Sequence, residues 1–299
     1  MTILHSTPPL REVLGEQVRA VGYALRRPAI AAAALVAVGT LLLAIQIVRE
    51  PVAGLDFGPE HQMLPGILGL LFPIAVWQGE KRFGDGFLWT LPVDRRKHAL
   101  AKVCAGWVWL MAAVAFFILW LAVLTLASGG SFVGEETRQL ASAYDGAANA
   151  LYFTMTRTIR WRTQPVLWIV PFTAATGTYL LASALGLGVR HPLRWIAGVV
   201  LAFSLVVVAL ETTNTVRFSM GPARLVSSIY NGPYGLDALL TARTESLRTE
   251  MFLGNGKRVP IWLGLPHLGQ WAAATVGWIL GGFVALWAAA SRHRERRRT

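Results

Sequence analysis

The stretch EKRFGDGFLWTLPVDRRKHALAK, from Glu80 to Lys102, decides how the rest of the chain is interpreted. It lies between two strongly apolar runs and holds six Lys and Arg residues against three acidic ones. A Leu91-Pro92 break comes shortly before its basic end. We interpret it as a cytoplasmic loop between two membrane helices, shaped for contact with a soluble partner.

The overall composition is that of a polytopic membrane protein. Of 299 residues, 54% are hydrophobic and 15% are charged, and the mean hydropathy is +0.48. A soluble domain carries roughly 25% charged residues. The net charge of +12 would suggest a nucleic acid partner in a soluble protein, but basic residues mark the cytoplasmic loops of membrane proteins. We therefore expect contact with the lipid bilayer and no nucleic acid. The single cysteine, Cys104, excludes an intrachain disulfide.

Six apolar runs are predicted to be transmembrane helices. The first, Ala29 to Val48, has 20 residues without a charge, which is the length that crosses about 30 Å of hydrocarbon. The second is short and contains Pro65 and Pro73, and it is predicted as a span because its flanking loops differ sharply in charge. The sequence thus predicts an all-α integral membrane protein. Its spans cover about 29–48, 63–78, 103–127, 166–188, 195–210 and 271–290.

The N-terminal segment is predicted to be an amphipathic interfacial helix. Residues 10–27 place apolar side chains at helical spacing, and Pro28 is expected to end the helix. Its membrane-facing residues would include Val13, Leu14, Val18 and Val21. The chain then divides into a tail with this helix (1–28), a six-helix transmembrane domain (29–290) and a basic tail (291–299).

Two longer polar segments, 128–165 and 211–269, connect the later spans. The middle of the first is expected to be helical and to lie along the membrane. Within the second, Val259 to Leu268 is expected to form an interfacial re-entry segment.

The distribution of charge predicts the orientation of the chain. The segments 1–28, 79–102, 189–194 and 291–299 carry 17 Lys and Arg and 6 acidic residues, whereas the remainder carries 11 and 10. The net charges are +11 and +1, and the excess lies in short segments near span ends, where the positive-inside rule applies. Both termini are therefore predicted to be cytoplasmic.

Several kinds of chemistry are missing from the sequence. It has no GxxxxGK[ST] loop, no HExxH helix and no cysteine cluster, so we expect neither ATP binding through a P-loop nor a metal site on this chain. No charged residue lies in the middle of a predicted span, whereas ion-coupled carriers usually need titratable groups there. The nearest candidate for such a titratable group is Glu211, at the outer end of the fifth span. Any energy for transport is expected to come from another polypeptide.

The six-span layout and the 80–102 loop resemble the permease subunits of the ABC-2 type exporter family. In that family an acidic residue with basic neighbours follows the second span, and then come a glycine, a hydrophobic run, Leu-Pro and basic residues. The matching positions are Glu80, Lys81 and Arg82, then Gly84 or Gly86, then Phe87, Leu88, Leu91 and Pro92, then Arg95 or Arg96, and finally Lys102. The 10–27 segment matches the family's N-terminal interfacial helix. Physically, Pro92 fixes a turn, Asp94 can cap the next helix, and Lys102 is expected to extend to the lipid headgroups.

The resemblance implies a transport subunit of the inner membrane that is not itself an enzyme. Two ATPase subunits, which would hold the ATP and magnesium, would dock on 80–102 and 10–27. A second permease chain, identical or paralogous, would complete the exporter. The substrate would be hydrophobic or amphipathic, because the pathway would lack buried charge. Candidate pathway-lining residues are Thr40, Thr173, Thr176 and Ser204.

Other interpretations of the same sequence stay open. The chain could be a polytopic membrane enzyme or an ion-coupled carrier that depends on Glu211. It could also be a scaffold or sensor whose outer segments bind a ligand. For the 80–102 loop alone, the simplest alternative is a basic loop resting on lipid.

Overall fold

The structure is a computed structural model with six helices and four strands of defined extent. It describes residues 10–49, 63–77, 95–129, 135–142, 156–162, 168–189, 194, 198, 229–230, 232–242, 248–252, 258–262 and 268–292. The helices are α1 (Leu10–Arg49), α2 (Met63–Val76), α3 (Arg95–Ala127), α4 (Val170–Gly188), α5 (Leu236–Thr241) and α6 (Leu268–Arg292). The strands are β1 (Glu135–Ser142), β2 (Thr156–Arg162), β3 (Arg248–Phe252) and β4 (Arg258–Trp262).

The long helices are those of a helical membrane protein. Four of them, α1, α3, α4 and α6, contain stretches long and apolar enough to cross a bilayer. The second predicted span is present as α2, which has only 14 residues. The fifth predicted span, 195–210, lies outside the described residues except for Gly198.

Helix α1 differs from the prediction because it does not end at Pro28. It runs for 40 residues with Pro28 inside it, so the interfacial helix and the first span form one continuous element. A proline inside a helix costs about 3 kcal/mol, since it removes a hydrogen bond and crowds the preceding turn. Packing against α3 on both sides of the proline offsets this cost. Trp109 donates its indole N–H to the Val18 carbonyl at 2.9 Å, and Trp120 donates to Thr40 Oγ1 at 3.0 Å.

The directions of the first helices alternate as expected for successive crossings. Helices α1 and α3 are parallel, because Gln17 contacts His98 near their starts and Thr40 contacts Trp120 further along both. Helix α4 runs against α3. Its Thr176 meets Trp107, and the later Tyr179 meets the earlier Val103.

Helices α2, α4 and α6 share one direction. Gly66 of α2 lies beside Ala174, and Gly69 lies beside Thr178 one turn further along α4. Gly282 of α6 lies beside Leu180, and Ala289 of α6 lies beside Gly188 at the end of α4. Since α4 and α6 are parallel, the chain returns to the starting side of α4 between the end of α4 and the start of α6.

Two ends of the bundle can therefore be distinguished. One hydrophobic cluster joins Val21, Val76, Ala99, Leu187 and Ala289, which come from α1, α2, α3, α4 and α6 in turn. We call this the basal end, and it is the end at which α1 begins and α6 finishes. A second cluster joins Val170, Ala242 and Trp271 where α4 and α6 begin, and we call that the distal end. The start of α1 and the end of α6 therefore lie on the same side of the bundle.

The polar segments beyond α3 and before α6 contribute a four-stranded sheet. Its strand order is β2-β1-β4-β3, with antiparallel β1–β2 and β3–β4 pairs and a parallel β1–β4 pair. Strands β1 and β2 occupy two parts of the 128–165 segment, whereas its middle, 143–155, where a helix was expected, lies outside the described residues. The expected re-entry segment from Val259 is wrong at its start, where β4 lies. The prediction of an all-α protein is confirmed for the helical bundle. The four-stranded sheet is an addition to it, and it is connected to the distal ends of α3 and α6.

Candidate coupling site at the basal end

The predicted coupling residues fall into two groups in the structure. Glu80, Arg82, Gly84, Phe87, Leu88, Leu91 and Pro92 lie outside the described residues. Arg95 begins α3, and Arg96 is half-buried in its first turn. The structure thus shows the two helix ends that flank the 78–94 segment, the end of α2 and the start of α3. We call these two helix ends the frame.

A buried cation–aromatic contact joins the two sides of this frame. Lys102 is 5% exposed and Trp77 is 7% exposed, and the Lys102 Nζ lies 4.7 Å from the centroid of the Trp77 ring. The prediction that Lys102 extends to the headgroups is therefore wrong. An ammonium group over the face of a tryptophan is attracted by the negative face of the ring, and the attraction grows when water is excluded. The contact fixes the end of α2 to the first turns of α3.

The first half of α1 lies on the same frame. The amide Nε2 of Gln17 is 3.4 Å from Nδ1 of His98, and both side chains are buried. Val21 is fully buried in the basal cluster, and Val18 packs against it. The apolar stripe predicted to face the membrane is thus mainly packed against α3. Val13 and Leu14, nearer the start of the helix, are half-buried.

A glycine lets three helices meet closely just above this frame. A Cβ at Gly106 would overlap the hydroxyl of Tyr179 and would lie 2.9 Å from Cγ2 of Val76. Tyr179 donates its hydroxyl to the Val103 carbonyl at 2.9 Å. Side chains from α2 and α4 therefore pack directly on the backbone of α3. A movement of the start of α3 would therefore also displace α2 and α4.

The threonines proposed as pathway lining serve helix packing where they are described. Thr40 and Thr176 each accept an indole N–H from α3, from Trp120 and Trp107 respectively. Thr173 donates to the Val170 carbonyl of its own helix. Ser204 lies outside the described residues. The structure does not bring Thr40 and Thr176 together, because they contact Trp120 and Trp107, which are about 20 Å apart along α3.

The sequence did not lead us to predict these hydrogen bonds between tryptophans of α3 and neighbouring helices. The signal was available in α3, where Trp107, Trp109 and Trp120 are placed among apolar residues that offer no partner. An indole N–H within the hydrocarbon of a membrane finds no water to bind, so its acceptor has to come from the protein.

Charged side chains are absent from long stretches of the described helices. Helices α2 and α4 contain no Asp, Glu, Lys or Arg. The same is true of α3 beyond Lys102 and of α1 between Arg27 and its last residue, Arg49. Among the described residues, no group of three His, Cys, Asp or Glu side chains is placed to hold a metal ion.

Comparison of the chain with protein-family models, with curated proteins and with solved structures gave no match.

Proposed function

We propose that the chain is the membrane-spanning permease subunit of an ATP-binding-cassette exporter of the ABC-2 type. ATP would be hydrolysed by separate ATPase subunits that dock on the 80–102 loop and on the first half of α1. The observation that carries this proposal is the joining of three elements at the basal end. The end of α2, the start of α3 and the amphipathic half of α1 pack together through Trp77–Lys102, Gln17–His98 and the basal cluster.

This arrangement supports the proposal because an external motor needs a stiff attachment. The 78–94 segment leaves the bundle from Trp77 and returns at Arg95, and both sides are fixed to α1. A partner that displaces the segment would therefore move three helices together. The segments at this end carry the basic excess of the sequence, which supports a cytoplasmic location for it under the positive-inside rule.

The helix directions support six crossings. Helices α4 and α6 are parallel, and Gly66 of α2 lies close to Leu240 of α5, so the chain has already returned to the distal end at α5. One more crossing is therefore needed between Val189 and Ile229. We assign it to 195–210, the one uncharged apolar run in that interval. Both termini would then be cytoplasmic, in an inner membrane.

The apolar character of the bundle supports the class of substrate. Between Pro28 and Val48 of α1, beyond Lys102 in α3, and in α2, α4 and α6 up to Ser291, the described helices carry no charged residue. A charged solute would find no compensating group along these stretches. A hydrophobic or amphipathic substrate, moved outward, fits this lining better. A second permease chain, identical or paralogous, would supply the other wall of the pathway.

Replacement of the Leu91-Pro92 break tests the proposal. Leu91→Asp and Pro92→Asp place a charge where an apolar anchor is expected to enter the partner, and truncating such anchors typically costs 2 kcal/mol or more of binding, about thirtyfold. The tagged chain is purified from its native membranes, and the ATPase subunits that accompany it are identified and quantified by mass spectrometry.

Thr158→Asp in β2 is the control, because the sheet lies at the distal end. ABC-type ATPases should accompany the wild type and the control, and they should be depleted from both loop variants. The proposal would be abandoned if no such ATPase is captured by the wild type, or if the loop variants capture it normally.

A further inference from the structure

Helix α5 lies across one face of α6 at the distal end. Trp278 donates its indole N–H to the Tyr234 carbonyl, just before α5, at 3.0 Å. Trp271 packs with Ala242, just after α5. Residues 271, 275 and 278 share one face of a helix, so the 234–242 segment runs antiparallel over α6 and Thr275 lies between its two contacts.

The 234–242 segment is closely fitted to the helices beneath it. Leu239 is fully buried, and a Cβ at Gly177 of α4 would lie 2.9 Å from Leu239 Cδ2. Leu240 lies against Gly66 of α2 in the same way. Small residues of α2 and α4 therefore form the seat of α5.

Beneath this cover, α6 carries polar atoms without partners. Gln270 Oε1, Trp271 Nε1 and Thr275 Oγ1 are buried and make no hydrogen bond. Trp271 is 8% exposed and Thr275 is 7% exposed. Buried polar groups in native proteins are nearly always paired, and an unpaired one calls for an explanation.

Ser183 Oγ of α4 is also buried without a partner, but several other described threonines and tryptophans do form hydrogen bonds within the chain. Thr40, Thr176, Thr178 and Thr241 each donate to the carbonyl four residues earlier. Thr275 does not do so. Four other tryptophans donate their indole N–H to a neighbouring element, namely Trp107, Trp109, Trp120 and Trp278. The Thr275 hydroxyl and the Trp271 indole N–H thus form no hydrogen bond, and both residues lie on one face of α6.

We propose that α5 covers a binding site for the uncharged polar head of an amphipathic molecule. The indole N–H is a donor, the amide oxygen is an acceptor, and the threonine hydroxyl is both. This set matches a hydroxyl or carboxamide group. The neighbouring Val170, Leu268 and Ala242 are apolar, so these described neighbours supply no counter-charge to an ionised head.

The cover has features that allow it to lift. Ala242 ends α5 with a φ of 50°, a left-handed conformation that costs a non-glycine residue energy. Release of α5 would relieve that strain and expose the three polar atoms. The site is closed in this structure, and the ligand enters when α5 moves away from α6. This inference stands on the distal end alone and does not depend on the exporter proposal.

Thermal unfolding of the purified full chain tests whether Thr275 is unpaired without a ligand. Thr275→Val keeps the shape and removes the hydroxyl, so the unfolding temperature should be unchanged or higher, because an unsatisfied buried group is lost. Thr40→Val is the matched control and should lower the unfolding temperature, because it breaks the bond from Trp120. If Thr275→Val lowers it as much as the control does, Thr275 has a partner and the proposal fails.

Photolabelling tests the ligand class in the same preparation. A monoacylglycerol with a diazirine in its acyl chain should label peptides from 232–242 and 268–278. Thr275→Val and Trp271→Phe should each reduce that labelling about tenfold, as expected for loss of a buried hydrogen bond. Labelling of the exposed α3 residues Phe116 and Leu119 serves as the internal reference for lipid contact.

The diazirine fatty acid of the same chain length, which is anionic, should label 268–278 far less than the monoacylglycerol does. Equal labelling by the two probes would overturn the assignment of an uncharged head. Labelling that is unaffected by both substitutions would overturn the site, as would an absence of labelling above the α3 reference.

Discussion

Gly106 shows at the scale of one residue how closely the bundle is packed. Gly106→Ala would place a methyl group against Tyr179 and Val76, and overpacking of this kind typically costs 1–3 kcal/mol. Gly277→Ala is the control, since a Cβ there meets nothing within 4 Å and alanine is favoured over glycine in a helix by about 1 kcal/mol. In thermal unfolding, the first variant should be less stable than the wild type and the second should not be. A clear loss at Gly277 would mean that another helix covers that face.

The Lys102–Trp77 contact predicts a measurable coupling between two residues. Lys102→Met and Trp77→Leu should each reduce the stability of the purified chain, and the double variant should lose less than the sum. The coupling energy should be about 1 kcal/mol, because the pair is largely shielded from water. A double-mutant cycle of unfolding free energies measures it. Additive losses would show that the two side chains pack near each other without interacting.

Single residues also mark the limit of what the sequence could reveal. Thr40 and Thr176 were assigned to a pathway because small polar residues in apolar helices often line one. Their true partners, Trp120 and Trp107, lie 80 and 69 residues away. Which residue of one helix faces which residue of another depends on helix direction and rotation. Apolar composition that is nearly uniform around a helix encodes neither.

At the scale of elements, α1 depends on packing at a residue that would otherwise break it. Pro28→Ala restores the hydrogen bond to the Ala24 carbonyl and should stabilise the chain by up to about 3 kcal/mol. Thermal unfolding measures the gain, and Ala29→Gly, one residue further along, should have the opposite sign. A loss of stability in Pro28→Ala would mean that the proline ring makes a contact more valuable than the missing bond.

The first half of α1 is helical as predicted, and its Val18 and Val21 pack in the basal cluster. Its stripe around Val18 and Val21 is equally compatible with lipid headgroups and with another helix, because both present an apolar surface. The sheet was not predicted, since β1 and β4 pair although more than a hundred residues separate them in the sequence. The pattern EETRQLAS in β1 lacks the alternation of apolar and polar residues that identifies a strand.

At the scale of the whole molecule, the helix directions predict which segments share a side of the membrane. In a Cys104→Ser background, a single cysteine at Ser291 should react with an impermeant maleimide only from the cytoplasmic side. A cysteine at Thr158, in the sheet, should react only from the outside. Intact and permeabilised cells distinguish the two cases. Reaction of both positions from one side would contradict the assignment of two opposite ends.

The alternative of an ion-coupled carrier is tested by one carboxylate. If ATPase subunits drive transport, Glu211→Gln should retain most of the activity, because no proton or ion needs to bind at that position. Survival of cells challenged with an exported amphipathic compound provides the readout, and a variant of the ATPase that cannot hydrolyse ATP provides the comparison. Activity lost in Glu211→Gln but kept in the ATPase variant would favour the carrier.

The parallel pairing of β1 with β4 has a consequence for the continuity of the chain. The two strands belong to segments that flank different helices, so the ladder holds the segment after α3 to the segment before α6 independently of the covalent connection between them. A molecule nicked once between Ser142 and Thr156 would keep both pieces bound through β1–β2 and β1–β4. Two halves divided there and synthesised separately should therefore reassemble into one complex.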